Sequence, residues 1–161
     1  VKVAAELGVW MINVHASGGV PMMSEARAAL EDVSGTRPLL IAVTILTSLA
    51  GDDLTRQGIS CSPAEQVIRL AGMTSEAGLD GVVCSAAETP LLRERFGDRF
   101  ALITPGIRRT EDAKGDQKRV VGPAEAVAMG STYLVVGRPI TQSASPAQAL
   151  REFNSAAAGD G

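Results

Sequence analysis

The sequence predicts an α/β fold of parallel strands, in the form of an incomplete (β/α)8 TIM barrel with about five β/α units. Two observations support this prediction. Five short apolar runs alternate with amphipathic helical segments, which is the rhythm of a parallel sheet covered by helices. Polar residues follow the end of nearly every apolar run, and a barrel can place functional residues on all of these loops.

The apolar runs are predicted to be buried strands. Most of their residues are β-branched or aliphatic on both faces, as is typical of strands that are covered on both sides. The five runs comprise residues 9–14, 38–46, 81–84, 100–104 and 133–136.

Helices are predicted between and after these strands. Met22, Ala26, Leu30 and Val33 share one face of the first helix. The second begins with the capping box Ser62-Pro63-Ala64-Glu65 and has Val67, Leu70 and Ala71 on its apolar face. The third begins at Thr89-Pro90 and ends before Gly97, and the fourth runs from Gly122-Pro123 to near Gly130. The last begins with a second capping box, Ser145-Pro146-Ala147-Gln148, and the pair Asp52-Asp53 is predicted to lie in a solvated loop.

The two ends of the chain lead to further expectations. Residues 1–8 have the pattern of the last turns of a helix that closes on Gly8. Because the chain also begins without Met, we expect it to be the C-terminal portion of a longer barrel. Residues 1–161 are predicted to form a single domain, with a frayed tail over 156–161.

An open doubly wound sheet is the alternative fold. Five strand–helix units would complete such a sheet, whereas a full barrel usually has about 250 residues. A doubly wound sheet concentrates its site at one switch point, and the polar residues of this chain are spread over most strand ends. This distribution favours the barrel.

Composition excludes several classes of function. The net charge is −3 and aromatic residues make up 3% of the chain, so neither electrostatic attraction nor stacking favours a nucleic-acid partner. No apolar segment approaches the roughly 20 residues needed to cross a bilayer. The two cysteines, Cys61 and Cys84, have neither metal-ligand spacing nor a disulfide pattern. We therefore expect a cytoplasmic protein without membrane or nucleic-acid partners.

The last two predicted strands end in residues suited to binding phosphate. Thr104-Pro105-Gly106-Ile107-Arg108 ends one strand, and Val136-Gly137-Arg138-Pro139 ends the next. Exposed backbone amides and guanidinium groups suit phosphate oxygens. In β/α barrels, phosphate sites recur in the loops after the last two strands.

An ordered set of motifs resembles the bacterial type of orotidine 5′-phosphate decarboxylase. The resemblance covers essentially the whole chain, from the fourth to the eighth strand of that barrel. The segments that carry it are residues 7–19, residues 39–48, residues 78–86, Thr104–Arg108, Gly115-Asp116-Gln117, and Gly137-Arg138-Pro139 followed by Thr141-Gln142-Ser143.

This resemblance implies a lyase of pyrimidine biosynthesis that converts orotidine 5′-phosphate to uridine 5′-phosphate and CO2. The family uses no cofactor or metal and is typically a homodimer. Its catalytic residues lie in an Asp-x-Lys-x-x-Asp-Ile motif, which we expect upstream of Val1. Asp112-Ala113-Lys114 has the wrong spacing to replace that motif. The resemblance therefore predicts no catalytic residue in this segment, which we expect to be inactive alone.

The resemblance also assigns phosphate-binding roles. Arg138 and the N–H group of Gly137 match the phosphate clamp, and Arg108 matches a second contact in the same pocket. Gln117 matches a loop glutamine that touches the phosphate and the base together.

For the base, Thr47 matches a strand-end hydroxyl that faces the pyrimidine edge, with Ser48 beside it. Pro105 is expected to shape the ring pocket. A hydroxyl and an amide suit an imide, because an imide offers both a donor and an acceptor.

Two alternatives remain open at this point. The chain could come from another phosphate-binding barrel enzyme, of the pentose-phosphate epimerase, hexulose-phosphate synthase or indole-glycerol-phosphate type. It could also serve as a non-catalytic nucleotide-binding or assembly module, because unpaired strand edges invite pairing with another chain.

Overall fold

The fold was analysed in a computed structural model that describes residues 1–33, 35–109 and 121–159. Strands and helices alternate along the chain. The strands are β1 Met11–His15, β2 Leu39–Val43, β3 Gly81–Val83, β4 Ala101–Pro105 and β5 Tyr133–Val135. The described helices are α1 Lys2–Glu6, α2 Gly19–Ala28, α3 Gly51–Arg56, α4 Pro63–Glu76, α5 Thr89–Phe96, α6 Pro123–Ala128, α7 Arg138–Thr141 and α8 Pro146–Ala158.

The five strands form one parallel sheet in the order β1-β2-β3-β4-β5. Each strand pairs with the next one along the chain, with Val43 opposite Val83 and Pro105 opposite Val135. This order has no reversal and therefore no switch point, which is the arrangement of a barrel and not of a doubly wound sheet.

A contact between two aromatic rings shows that the sheet is strongly curved. Trp10 directly precedes β1 and Tyr133 begins β5, so these residues mark the starts of the two outer strands. Their ring centroids are nevertheless 5.0 Å apart, in an edge-to-face arrangement. In a flat sheet the outer strands would be about 19 Å apart, at about 4.8 Å per strand. The barrel prediction is confirmed.

Successive side chains of the strands belong to two different core clusters, one on each face of the sheet. Leu40 and Ala42 of β2 are fully buried against Met23 of α2 and Leu70 of α4. Ile41, between them in sequence, belongs to a different cluster that includes residues of β4. Because successive side chains of a strand point to opposite faces, the helices cover one face and the other face lies inside the curve.

One predicted helix cap is confirmed and the other is wrong. The Glu65 N–H group donates to Ser62 Oγ at 3.3 Å, and the Ser62 N–H group donates to the Glu65 carboxylate at 2.8 Å. The Ser145 side chain makes no such bond at the start of α8. Gln148 instead donates from its side-chain amide to Glu152 at 3.0 Å, one turn further along the helix.

One further expectation needs correction. Asp53 lies in helix α3 and not in a loop, and its carboxylate accepts a hydrogen bond from the Ala50 N–H group at 2.9 Å. This bond satisfies a donor that a helix start leaves without an intrahelical partner. The four residues predicted to share one face of the first helix do pack in one core cluster: Ala26 and Leu30 are buried, and Met22 and Val33 are partly buried against them. Helix α2 itself ends at Ala28, and Met23 is completely buried in the same cluster.

The chain ends agree with the sequence in part. Helix α1 is followed by Gly8 with φ +76°, the left-handed conformation that closes many helices. Helix α8 continues to Ala158, so it includes three of the six residues expected to fray. Within the described ranges, no helix is both long enough and apolar enough to span a membrane.

Arg93 of α5 joins three segments at the amino-terminal edge of the sheet. Its guanidinium donates to the carbonyl oxygens of Gly130 at 2.9 Å and Phe100 at 2.6 Å. It also donates to the Thr132 hydroxyl at 2.6 Å, and that oxygen accepts the N–H group of Leu102 at 3.0 Å. The approaches to β4 and β5 are therefore held by one side chain.

Replacing this side chain should destabilise the protein. We expect Arg93→Ala to lower the free energy of unfolding by about 2 kcal/mol, because several partly buried acceptors lose a charged donor. Urea unfolding followed by circular dichroism measures this change. Arg95→Ala is the matched control, because Arg95 lies on the same helix and is exposed. Equal stability of the two variants would contradict the structural role of Arg93.

Candidate functional site

The described candidate residues lie at the carboxyl edge of the sheet. Thr47 and Ser48 follow β2, Pro105 is the last residue of β4, and Arg108 lies beyond it. Gly137 follows β5. Parallel strands bring these loops to one edge, which is where β/α barrels carry their active sites. Gln117 lies outside the described residues.

A cavity of about 190 Å³ opens at this edge. Thr47 and Ser48 line it on one side, Ser85 lies at the end of β3, and Pro105 and Gly106 close the β4 side. Ligand pockets usually measure about 300–1,000 Å³, so this volume suits part of a ligand, such as one heterocyclic ring. The structure therefore brings together the residues predicted to contact a base.

Ser85 is a site residue that the predicted set does not include. It lines the cavity, and its hydroxyl oxygen is buried without a hydrogen-bond partner in the described structure. The Ser85 N–H group is satisfied by the Glu88 carboxylate at 2.8 Å. A buried hydroxyl without a partner is costly unless a ligand supplies one. Its place shortly past the end of β3, like that of Thr47 past the end of β2, is the signal that the sequence offers for it.

Arg108 is buried, with 6% of its surface exposed. Its N–H group donates to the Val121 carbonyl at 3.2 Å, which fixes the backbone just after β4. Its side-chain Nε has no hydrogen-bond partner among the described residues. A buried guanidinium with an unused donor is expensive, and an anion is the partner that satisfies it best.

Gly137 and Arg138 lie at the corresponding position on the neighbouring strand. Because Pro105 pairs with Val135, Arg108 and Arg138 each lie three residues beyond a matched pair. Gly137 accepts hydrogen bonds from the N–H groups of Ile140 and Thr141, so the chain turns here into the short helix α7. The apolar pattern did not indicate this helix. Arg138 is its first residue and is exposed.

The candidate residues thus form two groups along one edge. Thr47, Ser48 and Pro105 share the cavity, whereas Arg108, Gly137 and Arg138 are not among its described lining residues. Arg108 directly follows Ile107, which lines the cavity, and Gly137 and Arg138 follow the neighbouring strand β5.

Burial controls the chemistry of the thiol next to this edge. Cys84 lies between β3 and Ser85 and is fully buried. Desolvation, with the Glu88 carboxylate adding to it, raises the pKa of the Cys84 thiol to about 12. The thiol is therefore protonated at neutral pH and is a poor nucleophile.

Comparisons with known proteins identify a family that this chain resembles in sequence. The sequence model of the family described as Orotidine 5'-phosphate decarboxylase / HUMPS matches residues 1–153. The chain is 58% identical over 154 residues to orotidine 5'-phosphate decarboxylase of Photobacterium profundum, covering 96% of this chain and 67% of that protein. It is 57% identical over 155 residues to the Vibrio cholerae (strain M66-2) protein of the same name, with the same coverage of both.

A solved structure agrees as well. The crystal structure of orotidine 5'-phosphate decarboxylase from Lactobacillus acidophilus matches with a TM-score of 0.82 and 38% identity, covering 97% of this chain and 66% of that chain. The chain therefore spans about two thirds of the length of these relatives.

The state of Cys84 leads to a test of the site's packing. In the native protein at pH 8, we expect a disulfide reagent to modify Cys61 rapidly and to spare Cys84. With a pKa of about 12, only about one Cys84 in ten thousand carries the reactive thiolate at that pH. In the Cys61→Ser variant, only Cys84 can react, so the reagent should release its coloured thiol only after the protein is unfolded in urea. Rapid release from the folded variant would show that β3 is not packed as described.

Proposed function

Because this chain belongs to the orotidine 5'-phosphate decarboxylase / HUMPS family, we propose that it forms the nucleotide-binding side of an orotidine 5′-phosphate decarboxylase. The observation that carries this proposal is the arrangement at the carboxyl edge. A ring-sized cavity with hydroxyl groups lies beside a buried arginine that has an unused donor.

The phosphate is assigned to the loops after β4 and β5. Arg108 and Arg138 supply charge, and the Gly137 N–H group supplies a backbone donor. Arginine suits this task because its fork of donors fits two oxygens of one phosphate. Gln117 is assigned to the same nucleotide by its position in the sequence alone.

The base is assigned to the cavity. The hydroxyls of Thr47 and Ser48 can pair with the imide edge of the pyrimidine, because a hydroxyl both donates and accepts. Pro105 gives the ring an apolar wall. The Ser85 hydroxyl adds a further polar group at the third strand end.

Decarboxylation leaves a carbanion that must be stabilised and protonated. The Asp and Lys groups expected to do this belong to a motif that residues 1–161 do not contain. The role of this chain is to hold the nucleotide, so that phosphate binding energy supports the transition state. We therefore propose that the segment binds uridine 5′-phosphate but does not decarboxylate alone.

A second family activity is the main alternative. The family description also covers HUMPS, and a hexulose-phosphate synthase would bind a sugar phosphate without a base. The cavity beside the arginines favours the nucleotide, because a sugar phosphate would leave the ring pocket empty.

We further propose that the whole protein is a cytoplasmic homodimer. This proposal rests on the family resemblance alone. Sedimentation of the whole protein would test the assembly.

The first test joins this chain to the part of the Photobacterium profundum relative that lies outside the match, about one third of that protein. We expect the isolated chain to be inactive and the fusion to decarboxylate orotidine 5′-phosphate. The loss of absorbance of orotidine 5′-phosphate measures the reaction. Turnover by the isolated chain at ordinary enzyme rates would contradict the proposal that this chain binds the nucleotide and that the catalytic residues lie outside it. An inactive but folded fusion would contradict the assigned reaction.

The second test uses the active fusion. Arg138→Ala should raise KM and lower kcat/KM about a hundredfold, because a charged phosphate contact is lost in the ground and transition states. Arg56→Ala is the control, because Arg56 is an exposed arginine of helix α3. If both variants lose activity equally, Arg138 is not a phosphate ligand.

A third test separates the two activities. In calorimetric titrations of the chain, uridine 5′-phosphate should bind more tightly than ribulose 5-phosphate, because only the nucleotide fills the ring cavity. Tighter binding of the sugar phosphate would favour the HUMPS type.

A further inference from the structure

Helix α8 contacts the segment that carries Arg108. Directly after Arg108, the Arg109 guanidinium forms an ion pair with the Glu152 carboxylate, with Nη1 and Oε2 2.6 Å apart. The same guanidinium lies over the ring of Phe153, 4.9 Å from its centroid. Gln148 holds the other oxygen of Glu152 at 3.0 Å. Glu152 is thus fixed by its own helix and in turn fixes Arg109.

The alternation of side chains sets the direction of Arg108. Ile107 is buried in the cluster that contains Phe153, and Arg109 stacks on the same ring. Residues 107 and 109 therefore face α8. In an extended segment the residue between them points to the opposite side, so Arg108 projects away from α8. The bridge between Ile107 and Val121 keeps the backbone in this form.

The same helix supports the second arginine. Val136 and Ile140 flank Gly137 and Arg138, and both pack in the cluster with Phe153. Helices α7 and α8 are in contact. The segments that carry Arg108 and Arg138 thus rest on one platform, centred on Phe153, which is 3% exposed.

We propose that Arg109 is a positioning residue for phosphate, acting through Arg108, and that Glu152 and Phe153 of α8 are its partners. The proposal rests on the proposed function, because it takes the Arg108 guanidinium as a phosphate ligand. The ion pair is partly exposed, with 23% of the Arg109 and 46% of the Glu152 side chain accessible, so it adds little to global stability. Its effect is on where Arg108 points.

The test measures the affinity of the chain for uridine 5′-phosphate and for uridine by calorimetry. Uridine lacks the phosphate, so a fault in positioning Arg108 changes only the first affinity. We expect Arg109→Ala to weaken uridine 5′-phosphate binding about tenfold and to leave uridine binding unchanged. Glu152→Gln should also weaken uridine 5′-phosphate binding, by less than tenfold. Arg151→Ala, an exposed arginine on the same helix, is the matched control and should change neither affinity.

A charge swap separates positioning from simple structural damage. Arg109→Glu and Glu152→Arg should each weaken uridine 5′-phosphate binding, and the double variant should recover most of the loss. The arginine Nε–H NMR signal of Arg108, assigned with Arg108→Lys, provides a second readout. It should shift on addition of uridine 5′-phosphate to the wild-type chain and should shift less in Arg109→Ala.

The outcomes distinguish this inference from the proposed function. If the wild-type chain binds uridine 5′-phosphate no better than uridine, the phosphate site itself is wrong and the inference fails with it. If the wild-type chain prefers the phosphate but Arg109→Ala keeps that preference, only the positioning role is overturned. The positioning role would also be overturned if Arg109→Ala weakened the binding of uridine 5′-phosphate and of uridine equally and the double variant did not recover the binding.

Discussion

The parallel register of five consecutive strands is the constraint on which this site depends. Each strand pairs with its neighbour in chain order, so every strand ends at the same edge. Thr47, Arg108 and Arg138 are far apart in sequence, and they share that edge only because of this pairing. The curvature that brings Trp10 near Tyr133 also gives the sheet an inner side. A barrel enzyme builds its site from such loops, with the chemistry set by the residues that each loop carries.

Helix packing on the outer face of the sheet also supports the two segments that carry Arg108 and Arg138. The cluster around Phe153 supports the end of β4 through Ile107 and the short helix α7 through Ile140. The two arginine segments are therefore held against one helix. A buried arginine with an unused Nε donor is tolerated at a binding site because a ligand can supply the missing acceptor. Elsewhere in the fold, Arg93 has the opposite role, because its donors are used on backbone oxygens and one hydroxyl.

Much of the fold could be predicted from the sequence, because buried parallel strands are short runs that are apolar on both faces. The capping box at Ser62 and the glycine after α1 are local signals, and both are confirmed. The prediction of a capping box at Ser145 is wrong because a motif of residue types does not fix the side-chain conformation. Helices α3 and α7 were missed because they are short and lack an apolar stripe of their own. Ser85 is absent from the predicted set because other polar residues also follow strand ends, and only the cavity and the unpartnered hydroxyl distinguish Ser85 from them.

We propose that one anion joins Arg108 and Arg138 while a ring occupies the cavity beside Thr47. A crystal structure of the chain with uridine 5′-phosphate would show both contacts. We expect phosphate oxygens within hydrogen-bond distance of both guanidinium groups and of the Gly137 N–H group, with the pyrimidine between Thr47 and Pro105. A phosphate held at another edge of the sheet, or a base outside the cavity, would contradict it.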